Sequence, residues 1–207
     1  MKPNLFARLI NFITDKLKRK STVIVFVGDL VLESLQKTYK DWIRKSEMIY
    51  IHTDMSQLQM YENYDKLKFL FVGDSAENNC GKRDFESGKM YASKNKNRIL
   101  ESISNYRSRK IIIISTLRYS SACGISTELF TEFINHNTNT YFIGIKLFSF
   151  EGINALTNFE KANIELIKNY PERIDLIDSN LESNKSDFPG GITGKIIELV
   201  DKHLSTK

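Results

Sequence analysis

The residues best placed to bind a ligand lie in one stretch, residues 110–127, KIIIISTLRYSSACGIST. Its four consecutive isoleucines predict a buried strand. The small and polar residues after them, among them Arg118, Ser121 and Gly124, predict a loop before the helical pattern ELFTEFI. In an open α/β sheet, ligands usually bind outside the carboxyl end of such a strand, where the next helix offers unpaired N–H groups to an anion. The stretch therefore predicts an anion site, although small polar residues at a helix start often serve only as N-caps.

Other kinds of site have less support in the sequence. The histidines His52, His136 and His203 fall in different predicted elements, so we expect no metal-binding set. The two cysteines give neither a disulfide framework nor zinc spacing, which favours a reducing, cytoplasmic compartment. Basic and aromatic residues do not alternate along one element, which argues against nucleic-acid binding. No G-x-G-x-x-G motif follows the first predicted strand, which argues against a dinucleotide-dependent oxidoreductase.

The hydrophobic pattern predicts one α/β domain over residues 21–207, ending in the last helix. Of the 207 residues 41% are hydrophobic, which is enough for one core. Short apolar runs alternate with helical patterns, and several runs are apolar on both faces, which is typical of a covered parallel sheet. We predict a doubly wound, mainly parallel six-stranded sheet with helices on both faces. The predicted strands are 22–28, 48–52, 66–73, 111–114, 140–148 and 173–178, and the predicted helices are 29–45, 89–106, 125–136, 152–169 and 192–204.

Residues 1–20 carry an amphipathic and basic pattern. Apolar residues recur at helical spacing on one face, and a basic run closes the segment. Such a helix can pack on the domain as an ordinary surface helix. Alternatively it can lie on an anionic membrane and hold the protein at the inner face of that membrane. The residues for the membrane alternative are Phe6, Leu9, Ile10, Ile13, Leu17, Lys18, Arg19 and Lys20.

Four stretches share an order and spacing that point to one family. They are MIYIHTDMSQL (48–58), RDFESGKMYA (83–92), the opening stretch 110–127, and FSFEG (148–152). Together they resemble the nucleotide-binding domain of the FtsZ/tubulin superfamily, and bacterial FtsZ most closely. In that family the same positions hold an asparagine-Thr-Asp loop, an acidic-x-Gly helix entry, a glycine-rich signature loop and the ribose loop.

The resemblance implies a site for GTP or GDP with Mg²⁺. It also implies a protein partner, which would be a filament of FtsZ type or further copies of this chain. The nucleotide contacts of the family carry over to ten positions of this sequence: Gly28, Thr53, Asp54, Glu86, Gly88, Arg118, Ser121, Gly124, Glu151 and Asp187.

Three departures from the family pattern argue against GTP hydrolysis by this chain alone. The first predicted strand leads into Gly28 and then Asp29 rather than a glycine-rich loop, so a carboxylate stands where a phosphate would gain from the helix dipole. Ala155 stands where the ribose loop has an arginine. The sequence ends at Lys207, near the end of the last predicted helix, without the second domain whose acidic loop completes the catalytic site in the family. No catalytic residue is therefore assigned.

The leading hypothesis is a truncated, FtsZ-like pseudo-GTPase that acts as a protein-interaction module on a cell-division or cytoskeletal filament. Two alternatives stay open. The first is a guanine-nucleotide switch that keeps GTP or GDP and hydrolyses, if at all, with a partner subunit. The second is an unrelated small Rossmann-like enzyme whose loops match the family by chance.

Overall fold

Six parallel strands form a single sheet in the order β3-β2-β1-β4-β5-β6. The computed structural model describes residues 21–28, 42, 44–60, 67–73, 84–103, 106–117, 121–137, 139–146, 150, 152–182 and 190–206. The strands are β1 Thr22–Val27, β2 Ser46–His52, β3 Leu67–Phe71, β4 Lys110–Thr116, β5 Thr140–Lys146 and β6 Ile174–Asp178. The order reverses direction beside β1, which is the signature of a doubly wound fold. The predicted fold class is confirmed.

Helices connect the strands in the described part of the chain. They are α1 Met55–Met60, α2 Phe85–Lys94, α3 Lys96–Ser102, α4 Ser121–His136, α5 Ile153–Ala162, α6 Ser179–Glu182 and α7 Gly190–Ser205. Helix α5 continues into a π-helical turn, Asn163–Ile167, and short 3₁₀ turns occupy Tyr106–Ser108 and Pro171–Arg173. None of the described helices is long and apolar enough to cross a membrane.

Alternate residues of the central strands feed two hydrophobic cores, one on each face of the sheet. Val23, Val25 and Ile113 point to the face covered by α2, α4 and α5. Ile24, Phe26 and Ile112 point to the opposite face, where Trp42 and the last helix cover them. Helices on both faces explain why these strands are apolar throughout.

Two helices begin four residues before their predicted starts. Helix α4 begins at Ser121, four residues before the predicted start at 125, because the small residues in 121–124 are buried against a neighbouring helix. Helix α2 begins at Phe85 because the Asp84 carboxylate accepts a hydrogen bond from the Ser87 N–H at 2.8 Å and caps it. The segment 1–20, and most of the helix predicted over 29–45, lie outside the described residues.

Candidate functional site

The carboxyl ends of β1, β2 and β4 meet at one edge of the sheet, here called the carboxyl edge. Gly28 directly follows β1 with φ of +89°, and its N–H donates to the Ile51 carbonyl at 3.3 Å. A Cβ atom on Gly28 would lie 2.8 Å from the Ala122 Cβ, at the start of α4. Both the positive φ and this close approach require glycine. The first turn of α4 is thus held directly against the end of β1.

The loop after β2 is tied to α4 and to α1 by its own polar groups. The Ser121 hydroxyl donates to Thr53 Oγ1 at 3.2 Å. Asp54 Oδ1 accepts from the N–H and the hydroxyl of Ser56 at 2.9 and 2.6 Å, which makes Asp54 the N-cap of α1. The Asp54 N–H in turn donates to His52 Nδ1 at 2.9 Å. These predicted nucleotide contacts therefore already make internal hydrogen bonds.

A small crevice opens between these loops. Its lining residues are Val27, Gly28, Ile51, His52, Thr53, Ala122 and Ile125. The crevice encloses about 10 Å³, which is room for about one water molecule. A phosphate group is larger than a water molecule, so this crevice by itself does not enclose one.

Gly88 and Gly124 lie where α2 crosses α4. A Cβ atom on Gly88 would be 2.1 Å from the Ser121 carbonyl oxygen, and one on Gly124 would be 1.9 Å from the Phe85 carbonyl oxygen. The backbones of the two helices are therefore in direct contact, and neither position accepts a side chain. The structure gives both glycines a packing role, and their predicted nucleotide contact stays a prediction.

Ion pairs join α2 to the other helices on its face. Glu86 is exposed and accepts from the Lys161 ammonium of α5 at 2.8 Å, which raises the pKa of Lys161. Lys89 pairs with Glu165 at 2.7 Å. The predicted nucleotide residue Glu86 therefore faces α5, and its carboxylate is already paired with a cation.

Buried side chains at the start of α4 and in α5 limit the chemistry of the site. Cys123 is fully buried and its thiol donates to the Asn158 carbonyl at 3.4 Å. Burial raises the pKa of the Cys123 thiol, so it stays protonated and is a poor nucleophile at neutral pH. Ala155 is likewise fully buried. The position where the resemblance expects an arginine thus belongs to the core.

Three predicted site residues, Arg118, Glu151 and Asp187, lie outside the described residues. Beside Glu151, the described Phe150 is 79% exposed and Gly152 adopts φ of +92°. Asp84 was not assigned a role from the sequence, although an aspartate three residues before Ser87 is a recognisable capping pattern.

No family model matches the sequence, and no curated protein matches it either. Solved structures do resemble the fold. CetZ2 from Haloferax volcanii, in a GTPγS-bound protofilament, is 17% identical with a TM-score of 0.69, over 89% of this chain and 58% of that chain. TubZ of Clostridium botulinum phage c-st, with its C-terminal tail truncated, is 14% identical with a TM-score of 0.66, over 89% and 60%.

An empty dimer of FtsZ from M. jannaschii is 15% identical with a TM-score of 0.62, over 93% of this chain and 55% of that chain. The chain thus spans a little over half the length of these proteins. These likenesses show that the chain has an FtsZ/tubulin-like N-domain fold, as the order of its motifs predicted.

Proposed function

We propose that this chain, with its FtsZ/tubulin-like N-domain fold, is a protein-interaction module that docks on a filament of FtsZ-like subunits without hydrolysing GTP itself. The subunits would be a longer protein of that fold or further copies of this chain. The proposed setting is a cytoskeletal or cell-division filament in the cytoplasm.

The contact between α2 and α4 is the main support for this proposal. In a phosphate site, glycines serve to let backbone N–H groups approach the ligand. Here Gly88 and Gly124 each face a carbonyl oxygen of the other helix. Asp54 Oδ1 accepts both hydrogen bonds from Ser56 as the N-cap of α1. These contacts support the proposal that the loops at the carboxyl edge stabilise the fold rather than bind a nucleotide.

Exposed apolar side chains beside the carboxyl edge favour a protein partner. Phe150 is 79% exposed and Ile153, at the start of α5, is 76% exposed. Large apolar side chains exposed three residues apart in the chain favour a contact site for another protein. The related CetZ2 and FtsZ structures are a protofilament and a dimer, which supports an assembly partner.

The test is co-sedimentation of the full chain with filaments assembled from an FtsZ-type protein of the same cell. We expect the chain to pellet with the filaments, and GTP turnover to depend on the filament protein alone. The double variant Phe150→Asp with Ile153→Asp should reduce pelleting at least about ten-fold, since anchors of this kind dominate interfaces. The matched control is Ile164→Asp, which changes another exposed isoleucine (55%) in the π-helical turn after α5.

Two results together would overturn the proposal. The chain would stay in the supernatant with filaments present, and it would sediment as a monomer at every concentration when alone. Self-association without filament binding would instead identify copies of this chain as the partner.

A guanine-nucleotide switch is the second candidate, and two observations favour it. Gly28 keeps a positive φ at the end of β1, as a phosphate-approaching loop needs, and the hydroxyls of Thr53 and Ser121 lie at the start of α4. The third hypothesis, an unrelated small Rossmann-like enzyme, has less support because the fold is FtsZ/tubulin-like.

A further inference from the structure

The last helix, α7, is built differently in its two halves. In the second half Ile196, Leu199 and Val200 are buried against the sheet, at 1%, 6% and 0% exposure. In the first half, residues 191–195 include no fully buried side chain, and Ile192 packs only partly buried against the same core. Hydrophobic burial, the main force that docks a helix on a sheet, thus acts mainly on the second half.

Polar contacts join the second half of α7 to β4, β5, β6 and Trp42. His203 Nε2 lies 2.7 Å from Asp175 Oδ2 of β6, and the Tyr141 ring of β5 stacks on the His203 ring with centroids 4.3 Å apart. The Lys110 ammonium of β4 donates to the His203 carbonyl at 2.6 Å. Such a cation also suits the negative end of a helix. The Trp42 indole donates to Asp201 Oδ1 at 3.2 Å.

The first half of α7 is weak in its own sequence. It contains Gly190, Gly191 and Gly194 within five residues. Each glycine inside a helix disfavours the helical form about five-fold relative to alanine. A Cβ atom on Gly194 would meet nothing within 4 Å, so no close packing at that position explains the glycine.

The two halves lie at opposite edges of the sheet. The last turn of α7 contacts Lys110 and Asp175, which stand at the amino ends of β4 and β6. The helix has 16 residues. It therefore rises about 24 Å, close to the length of a seven-residue strand. The first turn of α7 consequently lies at the level of the carboxyl edge, where the crevice opens.

We propose that residues 190–195 open and close as a local unit while residues 196–205 stay docked. The helix then works as a fixed anchor with a movable end at the carboxyl edge. A molecule that contacts the closed end is favoured by closing it, and the sheet need not change. Local units of this kind are the low-stability parts of a native protein. The inference does not depend on the proposed partner.

Hydrogen exchange of the full chain, measured by mass spectrometry, tests whether residues 190–195 open locally. The first four N–H groups of a helix have no intrahelical partner, so the informative amides of the first half are those of 194–196. In the wild-type chain we expect amides in 194–196 to exchange at least ten-fold faster than those in 199–204, after correction for intrinsic rates. Gly194→Ala should slow exchange in 194–196 about five-fold and leave 199–204 unchanged.

The second variant addresses the anchor. Asp175→Asn removes the charge that faces His203 and Lys202. It should speed exchange in 199–204 several-fold, with little change in the half that already opens. Equal exchange of the two halves in the wild type, or shifts of both halves together in each variant, would show one cooperative helix and overturn the proposal.

Discussion

Two glycines set the distance between α2 and α4, and one added methyl group should disturb it. A Cβ atom on Gly124 would be 1.9 Å from the Phe85 carbonyl and 2.8 Å from the Lys89 nitrogen, both of them backbone atoms that cannot rotate away. We expect Gly124→Ala to lower the free energy of unfolding by about 3 kcal/mol. The melting temperature, measured by circular dichroism, should fall by about 6–12 °C.

Gly194 provides the matched control for this prediction. The same Gly→Ala change there meets no atom within 4 Å, in a helix that alanine favours. We expect no loss of stability, and a gain of up to about 1 kcal/mol. If Gly124→Ala had the same melting temperature as the wild type, α2 and α4 could move apart at little cost in stability.

The Asp175 carboxylate should make the free energy of unfolding depend on pH in the acid range. Its hydrogen bond with His203 lowers the pKa of Asp175, Lys202 adds to the effect, and burial opposes it. Because the folded pKa lies below the unfolded value of about 3.9, the stabilisation is present above that pH. It is lost as the pH falls through the folded pKa. We expect a contribution of about 1–2 kcal/mol at neutral pH.

Urea unfolding over the acid range measures this contribution. Trp42 is the sole tryptophan and is buried, so its fluorescence reports unfolding directly. The wild type and Asp175→Asn should differ in stability at pH 6 and converge as the pH falls through the lowered folded pKa of Asp175. A difference that persists unchanged into acid would contradict the assignment of the effect to the Asp175 charge.

The role of a single residue could be predicted from the sequence where that role depends only on neighbouring residues in the chain. Gly28 follows a buried strand, and a glycine at such a strand end indicates a turn. The sequence predicts a loop at Gly124 because small residues and glycine favour loops. Its true reason is the approach of Phe85, which is 39 residues away in the chain. A tertiary contact of this kind leaves no local signal.

At the scale of elements, the end of α7 depends on a buried lysine. Lys110 is 8% exposed, donates to the carbonyls of His203 and Thr206, and burial lowers its pKa. Lys110→Met keeps an unbranched side chain of similar length and removes the hydrogen bonds to the carbonyls of His203 and Thr206. We expect a loss of about 2–3 kcal/mol in urea unfolding.

Lys68→Met is the matched control for Lys110→Met. Lys68 also lies on a strand and pairs with Glu47, but its side chain is 55% exposed. An exposed pair of this kind contributes at most about 1 kcal/mol. Equal losses in the two variants would mean that the buried hydrogen bonds at the end of α7 add nothing specific.

The segment 1–20 carries a prediction that rests on its sequence alone. If it is a membrane-surface helix, the full chain should sediment with anionic liposomes and stay in solution with neutral ones. Phe6→Asp with Ile10→Asp should abolish that sedimentation. The basic control Lys18→Gln should weaken it only in part, since each lysine near an anionic surface adds about 1 kcal/mol. Sedimentation that survives the double aspartate variant would exclude the segment as the anchor.

Most helices and strands could be predicted from the sequence, because apolar residues recur with different periods in the two kinds of element. The apolar runs of β1 and β4 are buried along their whole length, as predicted for a sheet covered on both faces. The start of α4 has no local signal in the sequence, because its first turn lacks strong helix formers other than alanine: Ser121, Ala122, Cys123 and Gly124. Burial against α2 supplies what intrinsic propensity does not.

At the scale of the whole molecule, the order of motifs carried more information than residue identity. Identity to the solved FtsZ-like structures is only 14–17%, yet the fold agrees over 89–93% of this chain. A parallel sheet brings its carboxyl ends to one edge whatever the loops contain. The sequence therefore predicts the location of a ligand site well. It predicts less well whether a ligand binds there.

Nucleotide binding is the whole-molecule property that separates the two proposed functions. We expect the full chain to carry no nucleotide when purified, and to show no affinity for a fluorescent GTP analogue with Mg²⁺ even at millimolar concentration. The physical reason is that the crevice has room for about one water molecule and that Asp54, Thr53 and Ser121 already bond within the protein. Fluorescence anisotropy and chromatography of the released small molecules measure both expectations.

Micromolar binding that Glu151→Ala weakens, while Glu160→Ala does not, would favour the switch instead. Glu160 is an exposed glutamate on α5, so it controls for the loss of one negative charge near that helix. Thr53→Val should likewise weaken binding under the switch, because the Thr53 hydroxyl, which contacts Ser121 in the structure, is one of the proposed nucleotide contacts. Under the interaction-module proposal it would remain without affinity.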